Sequence, residues 1–371
     1  MKKNVCHIST VHPANDIRIY HKEVKSLAEN GYKVYLIGNY NNKDIKNNIY
    51  FIPLPQIKNK FIRVFFKPFI ALIKAIKTKS YIYHLHDPEL LPIGIILKLM
   101  GKKVIFDSHE LVYYQIYDKK WLKHHYIQNF FNLFYKKFEK LTVKFFDAII
   151  LAETGYTNYF YKNYPKYKNK FYILQNFPII KKIEKSKPMK INFNKPILIY
   201  AGSLSHQRRI DIILKTVEKL DVGLILLGKW NDYNFQQYCY NLPGYKKVII
   251  DKFTTPDEVY SYMKASDIGL VILSKSKNYT TSISTKIFEY MACEIPVVAS
   301  NFELWKKTFQ DRMFYVEPDN INELINIIQK ILNNTKNFQN LLKNNKEYVI
   351  KNFSWETESK KLIQLYKKIL N

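Results

Sequence analysis

Cysteine is scarce in this chain. Cys6, Cys239 and Cys293 lie far apart, with no Cys-x-x-Cys pair and no Cys/His cluster, which excludes a disulfide framework and a structural zinc site and reads them as buried thiols. Long apolar runs are also missing: Leu90–Met100 is too short to span a bilayer and carries Lys98. The opening residues, Met-Lys-Lys-Asn-Val-Cys-His-Ile, lack the apolar region and small-residue cleavage site of a signal peptide, so a cytoplasmic protein is expected. Acidic residues are few. Against 59 Lys and Arg stand 31 Asp and Glu, a net charge of +28, and Met1–Lys190 alone holds 34 basic and 13 acidic residues. Such a field attracts nucleic acid, an anionic membrane surface or phosphorylated substrates. A compositional bias toward Lys, Asn, Ile and Tyr accounts for part of it. No RNP-like, helix-turn-helix or zinc signature accompanies the charge, which speaks against a nucleic-acid partner.

What is present is a two-domain length, 371 residues with 47% hydrophobic content, and a strand and helix rhythm. Residues 4–10 read as a buried strand, 16–30 as a helix stopped by Gly31, and Lys33–Gly38 as a second strand. The alternation continues through Tyr81–His86, a helix over Pro88–Met100, a strand Lys103–Asp107, a helix within Trp121–Phe146 and a strand Asp147–Ala152. A Lys/Pro-rich stretch, Ile179–Pro196, interrupts it and is the expected linker. A second set follows with strands at Ile197–Ala201, Val222–Leu227, Lys247–Ile250 and Ile268–Leu273, and an amphipathic helix over Phe353–Leu370 closes the chain. The pattern predicts an α/β fold of two Rossmann-like domains facing a central cleft, 1–190 and 191–353, with the helix 354–371 packing back on the first.

Ligands in such sheets sit beyond the carboxyl ends of the strands. The loops there carry Thr10, His12, Asp16 and Arg18; His86, Asp87 and Glu89; Asp107, Ser108, His109 and Glu110; and Gly202, Ser203, Ser205, Arg208 and Arg209. Taken singly, each reads as a capped helix start or a structural histidine; their repetition at one structural position points to function. Gly202-Ser203 permits close backbone approach to a ligand, and Arg208 and Arg209 offer charge for a diphosphate. The stretch Thr280–Ser300 reads as polar loop, short helix and buried strand. Ser284 or Thr285 stands at the N-cap, so backbone N–H groups and the helix dipole favour a phosphate, with Lys286 as a further cation and Glu289 one turn in, facing a sugar diol.

Across Cys6–Leu370 the chain resembles the retaining glycosyltransferases of the GT-B fold, family 4 type, of bacterial surface polysaccharide assembly. The segments that carry the resemblance are HISTVHPANDIRIYHKEVKSLAENGYKVYLIG, HLHDPEL, VIFDSHE, YAGSLSHQRRIDIIL, KIFEYMACEIPVVAS and FSWETESKKLIQLYKKIL. The resemblance implies a nucleotide-sugar donor in the C-terminal domain, an acceptor in the N-terminal domain, and retention of configuration with no metal and no cofactor. Glu289 matches the second glutamate of the family's E-x7-E motif, on the donor ribose; Thr281 replaces the first. Arg208 or Arg209 matches the diphosphate cation, and His109 the histidine against the transferred sugar, the catalytic candidate. The glycine-rich loop common after the first strand is absent, with Asp16 and Arg18 near its place; His12, Asp16, Arg18 and Asp87 are the acceptor-side candidates. A front-face transfer, in which the leaving phosphate takes the acceptor proton, is the implied chemistry.

The segments Ile57–Lys79 and Tyr113–Phe146 interleave Lys with aromatics. They read either as helices lying on an anionic membrane or as helices with a buried aromatic face and a solvated basic one. The expected function is transfer of a sugar from a UDP- or GDP-sugar to a lipid-linked or growing cell-surface glycan, lipopolysaccharide or capsule, by a peripheral protein on the inner face of the plasma membrane. A nucleotide-sugar epimerase of the same fold and a basic nucleic-acid-binding protein are the alternatives.

Overall fold

The computed structural model describes all residues except 1–3, 14, 42–43, 58, 113–115 and 117–124. The chain forms two compact units, one of residues 1–176 with 358–371 and one of residues 177–357. The boundary therefore falls after Asn176, ahead of the expected linker. Ile179–Pro196 belongs to the second unit, where a short helix Ile180–Lys185 buries Ile180 and Ile183 beside Phe177. Its Lys and Pro content masks two apolar residues, Ile180 and Ile183, that anchor it.

The first unit is built on an eight-stranded sheet: β1 Asn4–Pro13, β2 Lys33–Asn39, β3 Asp44–Lys46, β4 Ile49–Pro53, β5 Ile82–Leu85, β6 Lys103–Ser108, β7 Ala148–Leu151 and β8 Phe171–Ile173. Their spatial order is β3-β4-β2-β1-β5-β6-β7-β8, and only β3 runs antiparallel, against β4. Strands β5 and β7 are buried at every residue, as a sheet covered by helices on both faces requires. Chain order reverses between β1 and β5, and a crevice at their carboxyl ends is the place where this topology binds ligands.

The segment expected as one helix over 16–30 is wound differently. Ile17–Val24 is π-helical and only Lys25–Glu29 is α-helical. Asp16 caps it: its Oδ1 accepts from the N–H groups of Arg18 and Ile19, both at 2.8 Å, while the His21 N–H reaches back five residues to the Asp16 carbonyl at 3.2 Å. The wider winding turns Arg18, Lys22 and Glu23 all inward, where each is buried. The expected helix within Trp121–Phe146 is seen over His125–Phe145; 121–124 lie outside the described residues. The last helix, Trp355–Leu370, brings Tyr366 under β1 and β5, against His7 and His84.

The second unit carries β9 Ile197–Ala201, β10 Gly223–Leu227, β11 Val248–Lys252, β12 Ile268–Val271, β13 Val297–Ser300 and β14 Phe314–Val316, all parallel, in the order β11-β10-β9-β12-β13-β14. Along β9 the side chains alternate: Ile197, Ile199 and Ala201 enter one apolar layer, Leu198 and Tyr200 the other. Order reverses between β9 and β12. Helix Thr285–Ala292 is locked to β9 by Tyr290, whose hydroxyl accepts from the Ala201 N–H at 3.0 Å and whose ring lies over Gly269, where a Cβ would come within 2.5 Å of it.

Candidate active site

At the carboxyl ends of β1, β5 and β6 the first unit gathers a polar cluster. Asp107, the penultimate residue of β6, is fully buried, and Arg18 holds it with a two-pronged grip: Nε donates to Oδ2 and Nη2 to Oδ1, both at 2.8 Å. The Asp107 Oδ2 also lies 2.9 Å from His109 Nε2. Burial alone raises the Asp107 carboxyl, but the charges of Arg18 and His109 outweigh it and hold it well below the usual carboxylate range. His109 remains 17% exposed at its side chain, with its ring 4.8 Å from that of His12.

The expected acceptor-side residues divide into two kinds. His12 and Asp16 are partly exposed and paired, His12 Nδ1 to Asp16 Oδ2 at 3.3 Å, with His12 Nε2 3.4 Å from Asp87 Oδ1. Burial opposes a charge on His12, yet the Asp16 hydrogen bond and the charges of Asp87 and Asp16 prevail and raise its pKa. Asp16 is drawn down to about 2: burial works against this, and the hydrogen bonds of His12 and Ile19 overcome it. Arg18 and Asp87 are placed otherwise than as acceptor contacts. Arg18 is only 5% exposed and its remaining Nη1 donates to the Leu174 carbonyl at 2.8 Å, so it braces Asp107 from beneath. Asp87 Oδ2 accepts from Ser9 Oγ at 2.8 Å and from the Thr10 N–H at 2.6 Å, which shapes the loop after β1.

Behind this surface His86 and Tyr366 meet three residues the sequence reading passed over, His7, Glu23 and His84, and all five are fully or almost fully buried. His7 and His84 are register partners on β1 and β5, and His86 follows His84 by two, so strand alternation puts the three rings together. That alternation was the available signal. Burial, reinforced by His86 for His7 and by His7 for His84, keeps those two imidazoles neutral; burial brings His86 down to about 4. Burial and the nearby Asp107 charge raise the Glu23 carboxyl well above its ordinary range, against the opposing charge of Arg18. Arg18 and Asp107 form the ion pair at the centre of the cluster, with Glu23 Oε1 3.2 Å from Arg18 Nε. His7, Glu23, His84 and His86 on one side, and His86, Asp107 and His109 on the other, come close enough to share a metal ion. Their imidazoles are engaged instead with one another and with Tyr366, His7 Nδ1 at 2.9 Å from His86 Nε2. Glu153, just after β7, was also passed over; burial pushes it up to about 7.

In the second unit the carboxyl ends of β9, β10 and β12 form a separate cluster. Gly202 has φ +153 and Gly228 packs so tightly that a Cβ on it would fall 1.7 Å from the Gly202 carbonyl oxygen. Glycine at both positions lets the loops after β9 and β10 touch. Gly228 has no partner motif in the sequence to flag it. Ser203 Oγ is buried with no hydrogen-bond partner among the described residues. Arg208 ends a 3-10 turn, His206–Arg208, with its guanidinium 4.9 Å above the Tyr279 ring and no carboxylate partner among the described residues. Arg209 is left-handed at φ 50 and its Nη2 is 2.9 Å from Asp319. The Ser274 N–H donates to the Gln207 carbonyl at 2.9 Å, tying the loop after β12 to this turn.

The same loop after β12 leads into a helix start. Ser284 is the N-cap of helix Thr285–Ala292 by backbone geometry, and its side chain makes no capping bond. Trp305 Nε1 donates to the Ser282 carbonyl at 2.7 Å and pins the preceding loop. Glu289 is buried and ion-paired with Lys286 one turn earlier. The arrangement offers a glycine-lined backbone, an unpartnered hydroxyl, an arginine and a helix N-terminus, the chemistry of a phosphate-ester site.

Two Rossmann-like units, each with its polar cluster at the strand-order switch, make the architecture of the GT-B fold. The chain is similar in structure to sucrose-phosphate synthase from Thermosynechococcus elongatus, with a TM-score of 0.76 at 17% identity, covering 99% of both chains. Anabaena HepE, solved in complex with UDP-glucose, gives 0.71 at 13% over 99% of both. WaaG, a glycosyltransferase involved in lipopolysaccharide biosynthesis, gives 0.71 at 14% over 98% of this chain and 99% of its own. Residues 181–352 match the family described as Glycosyl transferases group 1. That match lies within the second unit, and the likeness of the whole chain to these solved structures is one of GT-B fold. An uncharacterized glycosyltransferase of Methanocaldococcus jannaschii, MJ1607, is 23% identical over 194 residues, and the chain spans about half of that relative, 48% of its length.

Proposed function

We propose that the protein transfers a sugar, with retention, from a UDP- or GDP-sugar to a lipid-linked or growing cell-surface glycan at the inner face of the plasma membrane, without a metal ion. The observation that carries the donor half is the cluster of the second unit, where the unpartnered Ser203 Oγ, the carboxylate-free Arg208 and the start of helix Thr285–Ala292 lie on loops tied together by hydrogen bonds. Arg208 rather than Arg209 takes the diphosphate, because Arg209 is engaged with Asp319. Glu289 takes the ribose hydroxyls, held in place by Lys286. Charge developing on the departing diphosphate is stabilised by Arg208 and the helix N-terminus, so no strong base is needed. With Thr281 at the position of the missing carboxylate, the helix amides and hydroxyls carry more of that task.

In the first unit, His109 lies against the transferred sugar, oriented by Asp107, while His12 and Asp16, the exposed members of the cluster, meet the acceptor. Asp87 and Arg18 support them from below. HepE and WaaG, a UDP-glucose complex and a lipopolysaccharide enzyme by their descriptions, support the donor and acceptor classes. The membrane surface is supported by two helices with outward apolar stripes. Among the described residues no helix is long and apolar enough to cross a membrane. Yet helix Lys60–Lys77 exposes Ile62, Phe65, Phe66, Phe69, Ile73 and Ile76, and helix His125–Phe145 exposes Tyr126, Phe130, Leu133 and Phe134, at helical spacing and amid lysines.

The test is a donor screen. Saturable binding of one UDP- or GDP-sugar, lost in Glu289→Ala and in Arg208→Ala, is expected, and failure to bind any nucleotide sugar refutes the reading. Mass analysis of donor incubated without acceptor separates an epimerase, which converts it, from a transferase.

A further inference from the structure

The cluster of the first unit contains an unbroken chain of contacts from the C-terminal helix to His109. His84 Nδ1 lies 2.8 Å from the Tyr366 hydroxyl, which lies 3.0 Å from His7 Nε2. His7 Nδ1 lies 2.9 Å from His86 Nε2. His86 Nδ1 in turn lies 3.5 Å from Asp107 Oδ2 and 3.3 Å from His109 Nε2. Tyr366 is 359 residues from His7 in the chain, so a contact of this kind leaves no local trace in sequence.

A neutral imidazole has one donor and one acceptor nitrogen, so fixing the proton at one end of such a chain fixes it throughout. The far end is fixed by His84. Its Nε2 is buried with no hydrogen-bond partner among the described residues. Burying an orphan N–H is the rarer and costlier choice, so Nε2 carries the lone pair and Nδ1–H donates to the Tyr366 oxygen. Tyr366 then donates to His7 Nε2, His7 Nδ1–H donates to His86 Nε2, and His86 Nδ1–H points to Asp107. The near end agrees. At 2.9 Å from a carboxylate oxygen, His109 Nε2 must bear a proton, since two lone pairs at that distance repel. Both ends send their protons to Asp107.

We propose that Tyr366 is a positioning residue for His109: by donating to His7 it sets the proton order of the His7–His86 chain, which keeps the His109 Nε2–H directed at Asp107. Reversal of that order puts a lone pair of His86 Nδ1 3.3 Å from the His109 Nε2–H, where it competes with Asp107 for the same proton and turns the ring. Packing alone gives Tyr366 no such effect. Its ring also meets Tyr32 edge-on at 5.7 Å, and a phenylalanine keeps that contact.

The inference rests on the role proposed for His109, and the test separates the two. Ring 15N–1H correlation spectra of the full chain labelled in histidine are compared for the wild type, Tyr366→Phe and a protein with 3-fluorotyrosine installed at 366 alone. The groups facing His109 are Asp107, His86, His12 and Asp16, so His109 signals are followed from pH 5 to 9 in about one-unit steps. In Tyr366→Phe the His86 and His109 nitrogens are expected to shift toward a mixture of tautomers, and the pH–rate profile to move. kcat should fall by about tenfold while the donor KM changes less than about twofold. 3-Fluorotyrosine, a better donor of the same shape, should preserve the wild-type pattern and rate, and it reads the same signals if the phenylalanine variant does not fold. Unchanged His86 and His109 signals in Tyr366→Phe overturn the proposal, whether or not its thermal midpoint drops. The spectra need no substrate, so a protein that binds no nucleotide sugar refutes the functional reading while the tautomer result stands.

Discussion

Arg18 and Asp107, 89 residues apart, are joined by two parallel 2.8 Å hydrogen bonds with neither side chain more than 5% exposed. Removing one partner leaves the other charge buried and uncompensated. Arg18→Gln should therefore lower the free energy of unfolding by about 3–5 kcal/mol in urea titrations. The double variant Arg18→Gln with Asp107→Asn should be less destabilised than the single one. A loss under about 1 kcal/mol in the single variant contradicts a buried pair and fits a surface one.

Arg208→Gln and Arg209→Gln should part company in nucleotide-sugar binding. Loss of a charge-assisted contact to phosphate costs about 1.5–3 kcal/mol, so isothermal titration should show roughly ten- to a hundredfold weaker binding for Arg208→Gln. Arg209 spends its charge on the exposed Asp319, and its variant should bind within about threefold of wild type. The opposite ranking assigns the diphosphate to Arg209.

Gly228→Ala should disturb the donor unit. A Cβ 1.7 Å from the Gly202 carbonyl oxygen forces the loops after β9 and β10 apart. Donor affinity should fall at least about tenfold, with a stability loss of about 1–3 kcal/mol. Wild-type affinity in this variant excludes the Gly202 loop from the donor site.

Stability should respond to pH with opposing contributions. Burial raises Glu153 from 4.5 to about 7, so the folded chain holds a proton there that the unfolded chain has lost, and stability falls as pH rises from 4.5 to 7. Burial lowers His86 from 6.5 to about 4, so its contribution is present above 6.5 and is lost as pH falls through that window. Glu153→Gln should remove the first term alone. Compared with wild type it should be equal in stability near pH 4 and more stable at pH 8, by up to about 3 kcal/mol. A constant offset between the two curves from pH 4 to 8 rules out a raised Glu153.

The outward aromatics of helix Lys60–Lys77 should govern adsorption to anionic vesicles. In flotation with vesicles containing phosphatidylglycerol, Phe66→Ser with Phe69→Ser should reduce the bound fraction more than about tenfold, because each buried aromatic contributes about 1.5–3 kcal/mol. Raising salt should weaken the wild-type binding further. Binding unaffected by either change places the contact elsewhere.

Local pattern made much of the fold legible. The β-branched runs of β9, β12 and β13 announced buried parallel strands, and polar loops after strands drew the reading to the carboxyl ends of both sheets. The π-helical winding of Ile17–Val24 was not legible, because eight residues are too few to separate its period from that of an α-helix. Lys and Pro around Ile180 and Ile183 suggested a linker and moved the boundary past Asn176. At the site, His109 and Gly202 were visible from their loops. Arg18 read as an acceptor-side candidate because its partner is 89 residues away, and Tyr366 as one more apolar position of an amphipathic helix. Charge and amphipathicity are local signals; pairing across the chain is not.

The C-terminal helix also sets an order of events during synthesis. The second unit is one uninterrupted segment, 177–357, while the first is closed only by Glu358–Asn371. A ribosome therefore releases everything the second unit needs before it releases Tyr366. Until then His7 and His84 lack their hydroxyl partner, and an apolar face of the first sheet awaits Leu362, Leu365 and Tyr366. The unit begun first is finished last, which makes its open sheet the part of the nascent chain most in need of a chaperone.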